Sequence, residues 1–544
     1  MTSHAARRYL FGTSLSTGPT LPSVDQQRMA TVSKLQRVMT AAQTNNPRDI
    51  APLGIVPVSS LAPSLTNEVT YQNNPGVFEV LGGVPFVTTD PAMFIVGQAD
   101  DTPNNNSSTA AFMPNSQPVW QYAGKWNISI ANTRYIEVVT RENASPLMRV
   151  WVNGRLAHAT RAGYAPNPGG SGLVYTKYDL GAVGTYEIAV EMHTSMRFKG
   201  IRADTGAIFS KPTRADTVTM AVFGDSYSAG VANNSLRGDD LMNNLAQYLG
   251  VKSSVTAAIA GSALAITSNL IKMIPQFYSD FVVPNLKPAI DPDIIVIAAG
   301  YNDTESAGIS TPAAYAFWQQ VRADFPRALI VVVGMWGGVI QVRTTLQNRE
   351  EAFRAQFNTW ADPFSIFVRS VYAPGSAGDF GWQIGTGYVG TPKYDGINDY
   401  ILYSDRNHPT DGYDQFNGNW YMSTKARDAV IEGINNLGAT YNPAGTQIPR
   451  WPLSLKLADP SGAPPAATLN APYLLATMAT GGAVARTFSM KAGSPALPTG
   501  LTLNPRAGHW TGTPTAAGTY GPWTLTVTDG VTSTDLTIPP ITVS

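Results

Sequence analysis

The 544-residue sequence contains no cysteine. Disulfide bonds and thiolate metal sites are therefore excluded, and no Cys/His ligand spacing is present that would hold zinc. Charged residues make up only 14% of the chain, against about 25% in an average soluble protein. The 37 basic and 37 acidic residues cancel. Because no basic run occurs, we expect no nucleic-acid surface. Nothing in the sequence suggests another catalytic metal or a cofactor, and we expect neither.

Long apolar runs are missing as well. No stretch of about 20 apolar residues occurs, so we expect no membrane-spanning helix. Arg7 and Arg8 give the start of the chain a slightly basic character, but Gly12, Thr13 and Ser14 interrupt the apolar segment that follows. No secretory signal peptide is predicted.

The abundance of glycine and proline indicates several β-rich domains. The chain has 49 glycines and 40 prolines, with 43% hydrophobic and 10% aromatic residues. At this length we expect three or four domains. The predicted segments are 1–70, 71–213, 214–440 and 441–544.

The first two segments differ in pattern. Residues 1–70 contain one amphipathic helix near 26–42, which predicts either a helix packed on a neighbouring domain or an attachment or oligomerisation segment. Residues 71–213 alternate apolar and polar positions, and the turn dipeptide Asn153-Gly154 follows the strand predicted at 148–152. Short strands at this spacing are typical of a β-sandwich.

Strands and helices alternate over residues 214–440. Alternation of this kind predicts a parallel sheet built from right-handed β-α-β units. The predicted strands are 217–223, 253–259, 293–299, 328–334 and 364–370. The predicted helices are 237–249, 264–283, 311–324, 347–361 and 421–437.

The first of these strands ends in Phe223-Gly-Asp-Ser-Tyr-Ser228. A turn at the carboxyl end of a buried parallel strand presents Ser226 at the edge of the sheet where open α/β folds place their chemistry. A serine hydroxyl is a weak nucleophile, so a base and an oxyanion site are also needed.

One of the five histidines is a candidate base. His408 follows Asp405 by three residues and precedes a proline. A carboxylate at this spacing can bind one imidazole nitrogen, fix the tautomer and leave the other nitrogen for the nucleophile. The alternative is a packed or surface histidine.

Two further strand ends are candidates for an oxyanion site. Asn302, in Gly300-Tyr-Asn-Asp303, can direct its amide N–H at a developing alkoxide. Gly261 lets its backbone N–H approach a substrate oxygen without a side chain in the way. Each signal is weak by itself, since strand-to-glycine turns are common.

Taken together, these blocks resemble the SGNH, or GDSL-type, hydrolase family. The matching blocks are Gly224-Asp-Ser-Tyr-Ser228, Gly261, Gly300-Tyr-Asn-Asp303 and Asp405-Arg-Asn-His408, in order. The resemblance implies a flavodoxin-like three-layer domain with a five-stranded parallel sheet. It also implies a Ser226 nucleophile, a His408 base, an orienting Asp405, and an oxyanion hole from the Ser226 and Gly261 N–H groups and the Asn302 side chain. For Asp225 and Asp303 we favour structural roles in holding turns.

A long aromatic segment, 373–403, leads into this last block. Exposed aromatic rings can stack on sugars, whereas buried ones only pack. From this segment and the Asn302 block we predict substrate contacts for Trp382, Tyr388 and Tyr301.

The flanking segments carry looser resemblances. Residues 71–213 resemble the jelly-roll domain of some two-domain carbohydrate esterases. The run from 497 to 529 resembles immunoglobulin-like modules of bacterial and phage surface proteins. The predicted fold class is thus a multidomain chain with a central α/β domain between β-sandwich domains.

We therefore expect a serine esterase that removes O-acetyl groups from a polysaccharide, in particular a host-surface glycan. By analogy, the protein would act outside the cell or in a phage tail. It would form a homotrimer and have virion tail proteins as partners. The alternatives are a non-enzymatic adhesin or fibre component and a lipase or thioesterase on the same fold.

Overall fold

The structure is a computed structural model of the chain. It describes residues 22–42, 50–81, 85–87, 94–96, 125–141, 148–158, 164, 172–192, 197–213, 217–229, 241–258, 261–265, 273–288, 290–303, 307–336, 343–371, 382–410, 417–459 and 461–544. Among these residues, no helix combines the length and the hydropathy needed to cross a membrane.

Helix α1 (Val24–Ala42) begins with a capping box. Ser23 accepts the N–H of Gln26 through its hydroxyl, and the Gln26 side chain accepts the N–H of Ser23. Three apolar side chains on one face of the helix, Val32, Leu35 and Met39, are fully buried in the core of the central domain. The structure thus places α1 as a packed helix, one of the two predicted alternatives, while an attachment role for the rest of the segment stays a prediction.

The strands of the second segment, together with two strands from the end of the first segment, form one eleven-stranded antiparallel sheet. Its strands are β1 (Val58–Ser60) and β2 (Asn67–Thr70) from the first segment, and β3 (Glu79–Leu81), β4 (Pro85–Val87), β5 (Phe94–Val96), β6 (Lys125–Arg141), β7 (Met148–Val152), β8 (Arg155–Leu156), β9 (Leu173–Met192), β10 (Arg197–Ala203) and β11 (Ile208–Ser210) from the second. A single 3₁₀ turn covers Pro75–Val77. The main path is β4-β5-β10-β6-β9-β7-β8, with the other strands added at its sides.

The predicted hairpin is confirmed at Asn153-Gly154. Strands β7 and β8 pair across it, and both turn residues have positive φ, at 49° and 79°. Two left-handed residues in succession are what a tight antiparallel hairpin requires. Since the described strands of this segment all belong to one sheet, the two-sheet jelly roll stays a prediction.

The central domain contains the predicted five-stranded parallel sheet. Its strands are β12 (Thr219–Gly224), β13 (Ser253–Ala258), β14 (Ile294–Ala298), β15 (Leu329–Val333) and β16 (Ser365–Val368), in the order β13-β12-β14-β15-β16. This order is 2-1-3-4-5, that of flavodoxin. Every residue of β14 and β15 is buried, because helices cover both faces of a parallel sheet.

The helices of this domain follow the predicted alternation. They are α2 (Ser226–Ala229), α3 (Leu241–Tyr248), α4 (Ile274–Phe277), α5 (Ala307–Asp324), α6 (Arg343–Trp360), α7 (Asn398–Ile401) and α8 (Gly418–Tyr441). Helix α4 continues as a π-helical segment over Tyr278–Leu286. The Asn417 side chain caps α8 by accepting the N–H of Trp420 at 2.7 Å. The prediction of a helix from 264 is wrong for 264 and 265, which lie in a loop, and the next described helix is α4.

The last segment consists of short antiparallel strands. They are β17 (Ser454–Leu457), β18 (Tyr473–Leu475), β19 (Thr477–Thr480), β20 (Thr487–Met490), β21 (Leu501–Leu503), β22 (Trp510–Gly512), β23 (Gly518–Tyr520), β24 (Trp523–Thr528), β25 (Ser533–Ile538) and β26 (Ile541–Val543). Trp510 and Trp523 meet edge to face in its core, with ring centroids 5.0 Å apart.

Candidate active site

The nucleophile candidate lies where the central sheet turns into a helix. Ser226 is the first residue of α2, two residues after β12 ends, and its side chain is largely buried. Gly224 makes this sharp turn feasible, because a Cβ there would lie 2.4 Å from both the Ala298 carbonyl oxygen and Ser228 Oγ. A side chain at position 224 would push the turn away from the neighbouring strand.

The predicted base and nucleophile are within hydrogen-bond distance. His408 Nε2 lies 2.8 Å from Ser226 Oγ, although the two residues are 182 positions apart. The other ring nitrogen, Nδ1, lies 2.6 Å from Asp405 Oδ2. With Nδ1 protonated and donating to the carboxylate, Nε2 is free to accept the serine proton, which is the arrangement that general-base activation requires.

Asp405 is held in place by its own loop. Its Oδ1 accepts the backbone N–H groups of Asn407 and His408, each at 3.0 Å. Partial burial opposes ionisation of Asp405, but the Asn407 N–H and the His408 ring and N–H outweigh it and hold its pKa below the usual range. The carboxylate therefore stays charged opposite His408 at neutral pH.

Hydrogen bonds join the two loops that carry the predicted oxyanion residues to each other and to the end of β12, two residues before Ser226. The amide of Asn302 donates from Nδ2 to the Ser262 carbonyl oxygen at 2.9 Å, and Ser262 Oγ donates to the Gly224 carbonyl oxygen at 3.5 Å. An amide NH₂ has two hydrogens, so one remains for a substrate oxygen. Gly261, at the start of the same loop, has φ of +75°, which favours glycine.

Two buried aspartates lie underneath. The Asp303 carboxylate accepts the N–H groups of Leu264 and Ala265 at 2.9 and 2.8 Å, and Asp225 accepts the N–H of Tyr227 at 3.1 Å. Both contacts are of the turn-holding kind predicted for these residues. Burial, assisted by the nearby Asp303 charge, raises the pKa of Asp225 to about 7, although the Tyr227 N–H opposes the shift.

The aromatic substrate contacts are less well placed than predicted. Tyr301 is only 4% exposed, and its hydroxyl donates to Asn407 Oδ1, so its ring is packed and offers a ligand almost no surface. Trp382 is 7% exposed and lines a cleft of about 400 Å³ with β16 and α8, whose lining contains none of the triad residues. Tyr388 is half-buried, and its substrate contact stays a prediction. Residues 373–381 of the aromatic segment lie outside the described residues.

Sequence reasoning missed two residues of the site. Tyr227 packs its ring 5.3 Å from the imidazole of His408, and Asn407 accepts hydrogen bonds from Tyr227, in α2, and from Tyr301, after β14. Tyr227 is part of the first matched block and Asn407 lies inside the last, but neither block indicates a contact with the other, 180 positions away. Within the described residues, no group of three or more acidic or histidine side chains is placed to hold a metal ion.

Comparisons with known proteins agree with this geometry. Residues 222–414 match the model of the GDSL-like Lipase/Acylhydrolase family. The chain contains a GDSL-like hydrolase domain. Residues 457–544 match a second family model, "Putative Ig domain", which covers the C-terminal β-strands. The GDSL-like match and the triad geometry support an ester-hydrolysing enzyme.

Solved structures show a distant likeness. A family two carbohydrate esterase from Clostridium thermocellum, in complex with cellohexaose, aligns with a TM-score of 0.37 and 16% identity over 48% of this chain and 86% of that one. A family two carbohydrate esterase from Cellvibrio japonicus aligns at 0.39 and 12% over 60% and 92%. The salicylyl-acyltransferase SsfX3 from a tetracycline biosynthetic pathway aligns at 0.46 and 14% over 69% and 99%. No curated protein sequence matches the chain. Likenesses this low do not decide a substrate.

Proposed function

We propose that the chain is a serine esterase that removes O-acetyl groups from a polysaccharide. The observation that carries the hydrolytic part is the continuous relay from Ser226 Oγ through His408 to Asp405, with contacts of 2.8 and 2.6 Å. A binding protein has no need for an imidazole whose two nitrogens are both committed in this way. This geometry therefore favours catalysis over an adhesin role.

The reaction proceeds in two halves. Ser226 Oγ attacks the acetyl carbonyl carbon while His408 Nε2 takes its proton, and the oxyanion is bound by the N–H groups of Ser226 and Gly261 and by Asn302. The intermediate collapses, and the sugar hydroxyl leaves with the proton from His408. A water molecule, deprotonated by His408, then attacks the acetyl-serine and releases acetate.

The polysaccharide and its location are supported by the flanking domains. β-Rich, aromatic-containing domains lie on both sides of the GDSL-like domain in the sequence, and the C-terminal one matches the "Putative Ig domain" model. We infer a host-surface glycan as the substrate and action outside the cell or in a phage tail, with tail proteins as partners and a homotrimer as the assembly. This step rests on analogy of architecture.

The first experiment tests the esterase. Hydrolysis of p-nitrophenyl acetate is compared between wild type, Ser226→Ala and Ser279→Ala, an exposed serine on the π-helical segment. We expect loss of turnover only in Ser226→Ala. Equal rates in all three proteins would refute the assignment, and absence of labelling by a fluorophosphonate probe would favour the adhesin.

The second experiment tests the substrate. Acetate release from acetylated xylan, capsule and lipopolysaccharide is measured beside a series of p-nitrophenyl esters of increasing acyl length. A preference for acetyl and release from a glycan support the proposal. A preference for long acyl chains with no glycan release would favour a lipase or thioesterase.

A further inference from the structure

Two tyrosine hydroxyls bind the same residue of the loop that carries the catalytic base. Tyr227 Oη donates to the backbone carbonyl oxygen of Asn407 at 2.7 Å. Tyr301 Oη donates to the side-chain oxygen of the same residue. Asn407 directly precedes His408, so both hydrogen bonds end one residue from the imidazole.

The two tyrosines come from the other two parts of the active site. Tyr227 follows the nucleophile Ser226, and Tyr301 precedes the oxyanion residue Asn302. The strand ends of β12 and β14 therefore each supply a reacting group and also send an adjacent side chain to the base loop, residues 403–408, which carries His408. Asn407 is the point where the nucleophile, the oxyanion residue and the base are joined by side chains outside the triad.

The rings that present these hydroxyls are immobilised by packing. Tyr227 is 2% exposed and Tyr301 is 4% exposed, and their centroids lie 5.3 Å apart in an edge-to-face arrangement. On its other side, Tyr227 stacks on Trp336 at 5.1 Å and 18°. Side chains packed this closely keep one rotamer, so their hydroxyls act as fixed reference points.

The base loop needs such fixed contacts, because the hydrogen bonds within the loop determine its shape but not its position relative to Ser226. Asp405 binds the N–H groups that follow it, Tyr403 N–H donates to the His408 carbonyl oxygen at 3.0 Å, and Arg406 adopts φ of +64°. None of these contacts sets the distance between the loop and Ser226. The hydrogen bonds from Tyr227 and Tyr301 do, because their donors belong to the sheet side of the site.

We propose that Tyr227, Tyr301 and Asn407 form a clamp that positions His408 against Ser226 and Asn302. The inference rests on the proposed esterase function, since the positioned groups are those of that reaction. The clamp residues touch no reacting atom and act through His408. Displacing a catalytic group by about 1 Å can cost about 10² in rate, so a clamp of this kind controls turnover without contacting substrate.

The phenols remain donors over the working pH range. Burial raises the pKa of Tyr227 and of Tyr301, and the Tyr301 and Asp225 charges reinforce this for Tyr227. The groups facing them are Asp225, Asp405, His408 and the Arg349 guanidinium beside Tyr301. The clamp is therefore expected to hold at neutral and moderately alkaline pH alike.

The test removes single oxygen atoms. In Tyr227→Phe and Tyr301→Phe we expect kcat on p-nitrophenyl acetate to fall about tenfold each, the effect of losing the hydrogen bond to Asn407, and about 10² in the double variant, with KM little changed. Tyr227→Phe also removes a hydrogen bond with the Gln383 side chain. The matched control is Tyr278→Phe. Tyr278 is equally buried, packs on Phe223 of β12 and donates to Asp324 at 2.9 Å, a residue of α5 that does not belong to the base loop. It should lose stability and keep wild-type kcat.

Repeating the tyrosine substitutions in the His408→Ala variant separates an effect on the position of His408 from general destabilisation. If the tyrosines act through His408, their removal should leave the residual rate of His408→Ala unchanged. Persistence of the same losses in that background would overturn the clamp, as would wild-type kcat in the double variant. Absence of Ser226-dependent hydrolysis in the wild type would instead count against the proposed function.

The clamp can also be tested without measuring turnover, and so even in a protein that shows no hydrolysis. The His408 Nδ1–H, bonded to Asp405, should give a downfield proton resonance that is absent in Asp405→Asn. In the Tyr227→Phe, Tyr301→Phe double variant we expect this proton to exchange at least tenfold faster with solvent, and it should exchange as in wild type in Tyr278→Phe. An unchanged exchange rate in the double variant would refute the clamp even in an inactive protein.

Discussion

The carboxylate of Asp303 accepts the backbone N–H of Leu264 at 2.9 Å, across 39 positions of sequence. It accepts the N–H of Ala265 as well, so one buried side chain after β14 sets the path of the loop after β13. That loop contains Gly261, whose N–H is a proposed oxyanion donor. Asp303 and its neighbour Asn302 thus bind the same loop at two points, and the oxyanion site is built from both strand ends.

Asp303→Asn should lower turnover through this loop. An amide accepts at one oxygen only, so one of the two N–H groups loses its partner and the Gly261 N–H moves. Loss of one oxyanion donor costs about 10²–10³ in kcat in serine hydrolases, which sets the upper limit here. Steady-state kinetics on p-nitrophenyl acetate measure the effect. Asp529→Asn is the control, because Asp529 holds a loop of the Ig-like module through the Val531 and Thr532 N–H groups and should leave kcat unchanged.

Asp405→Asn should disable the base with little change in structure. The amide cannot orient the imidazole with Nδ1 protonated, and the comparable change in serine proteases costs about 10⁴ in kcat. Asp405 is part-exposed, so we expect on the order of 10²–10⁴ here. Its pKa lies below the usual range, so the carboxylate is ionised at all pH values above about 5 and the loss should be present across pH 5–9. A variant that regains wild-type kcat at pH 8 would contradict this role for Asp405.

The parts of the structure that the sequence predicted are those encoded by short-range patterns. The five parallel strands follow from buried apolar runs such as 293–299, and the triad follows from blocks that each end a strand or form a tight loop. Helix structure was expected from 264, but Leu264 and Ala265 lie in a loop, and the next described helix begins at Ile274. The path of that loop depends on a long-range contact, since the carboxylate of Asp303 accepts the N–H groups of both residues.

The local sequence pattern did not predict the role of the aromatic residues either, because that role also depends on long-range contacts. Tyr301 stands between two residues of a matched block and was predicted to touch substrate, yet its hydroxyl is directed to Asn407, 106 positions later. Whether a tyrosine faces a ligand or a neighbouring loop depends on which loops meet in space. The docking of α1 is similar, since the helix pattern predicted a buried face but not that Lys34 would pair with Asp293 at 2.8 Å.

The ionisation of Asp225 should lower the free energy of unfolding as the pH rises. Its folded-state pKa of about 7 lies above the ordinary value of 3.8. Its contribution to the free energy of unfolding is therefore largest below pH 4, declines as pH rises to about 7 and does not change further above that pH. Three pKa units correspond to about 4 kcal/mol. Asp225→Asn mimics the neutral form, and urea unfolding at pH 5 and pH 8 should show that the wild type loses more stability between the two than the variant does. Equal losses in both proteins would show that Asp225 ionises freely.

Asp428→Ala should loosen the Ig-like module from the hydrolase domain. Asp428, on α8, pairs with Arg427 at 3.0 Å and with Arg486 of the module at 2.5 Å, and all three side chains are at most 5% exposed. Its Oδ2 also accepts the Gly481 N–H at 3.2 Å. Removing one member of a buried ionic group leaves uncompensated charge and costs about 3–5 kcal/mol. Urea unfolding should therefore shift to a lower midpoint, with the module unfolding separately from the hydrolase domain.

The exposed ion pair between Asp535 and Lys491 offers the control, since Asp535→Asn should leave the unfolding midpoint unchanged. An unshifted midpoint in Asp428→Ala would mean that the apolar contacts of the junction, such as Trp451 on Tyr248, hold the module without this ion pair.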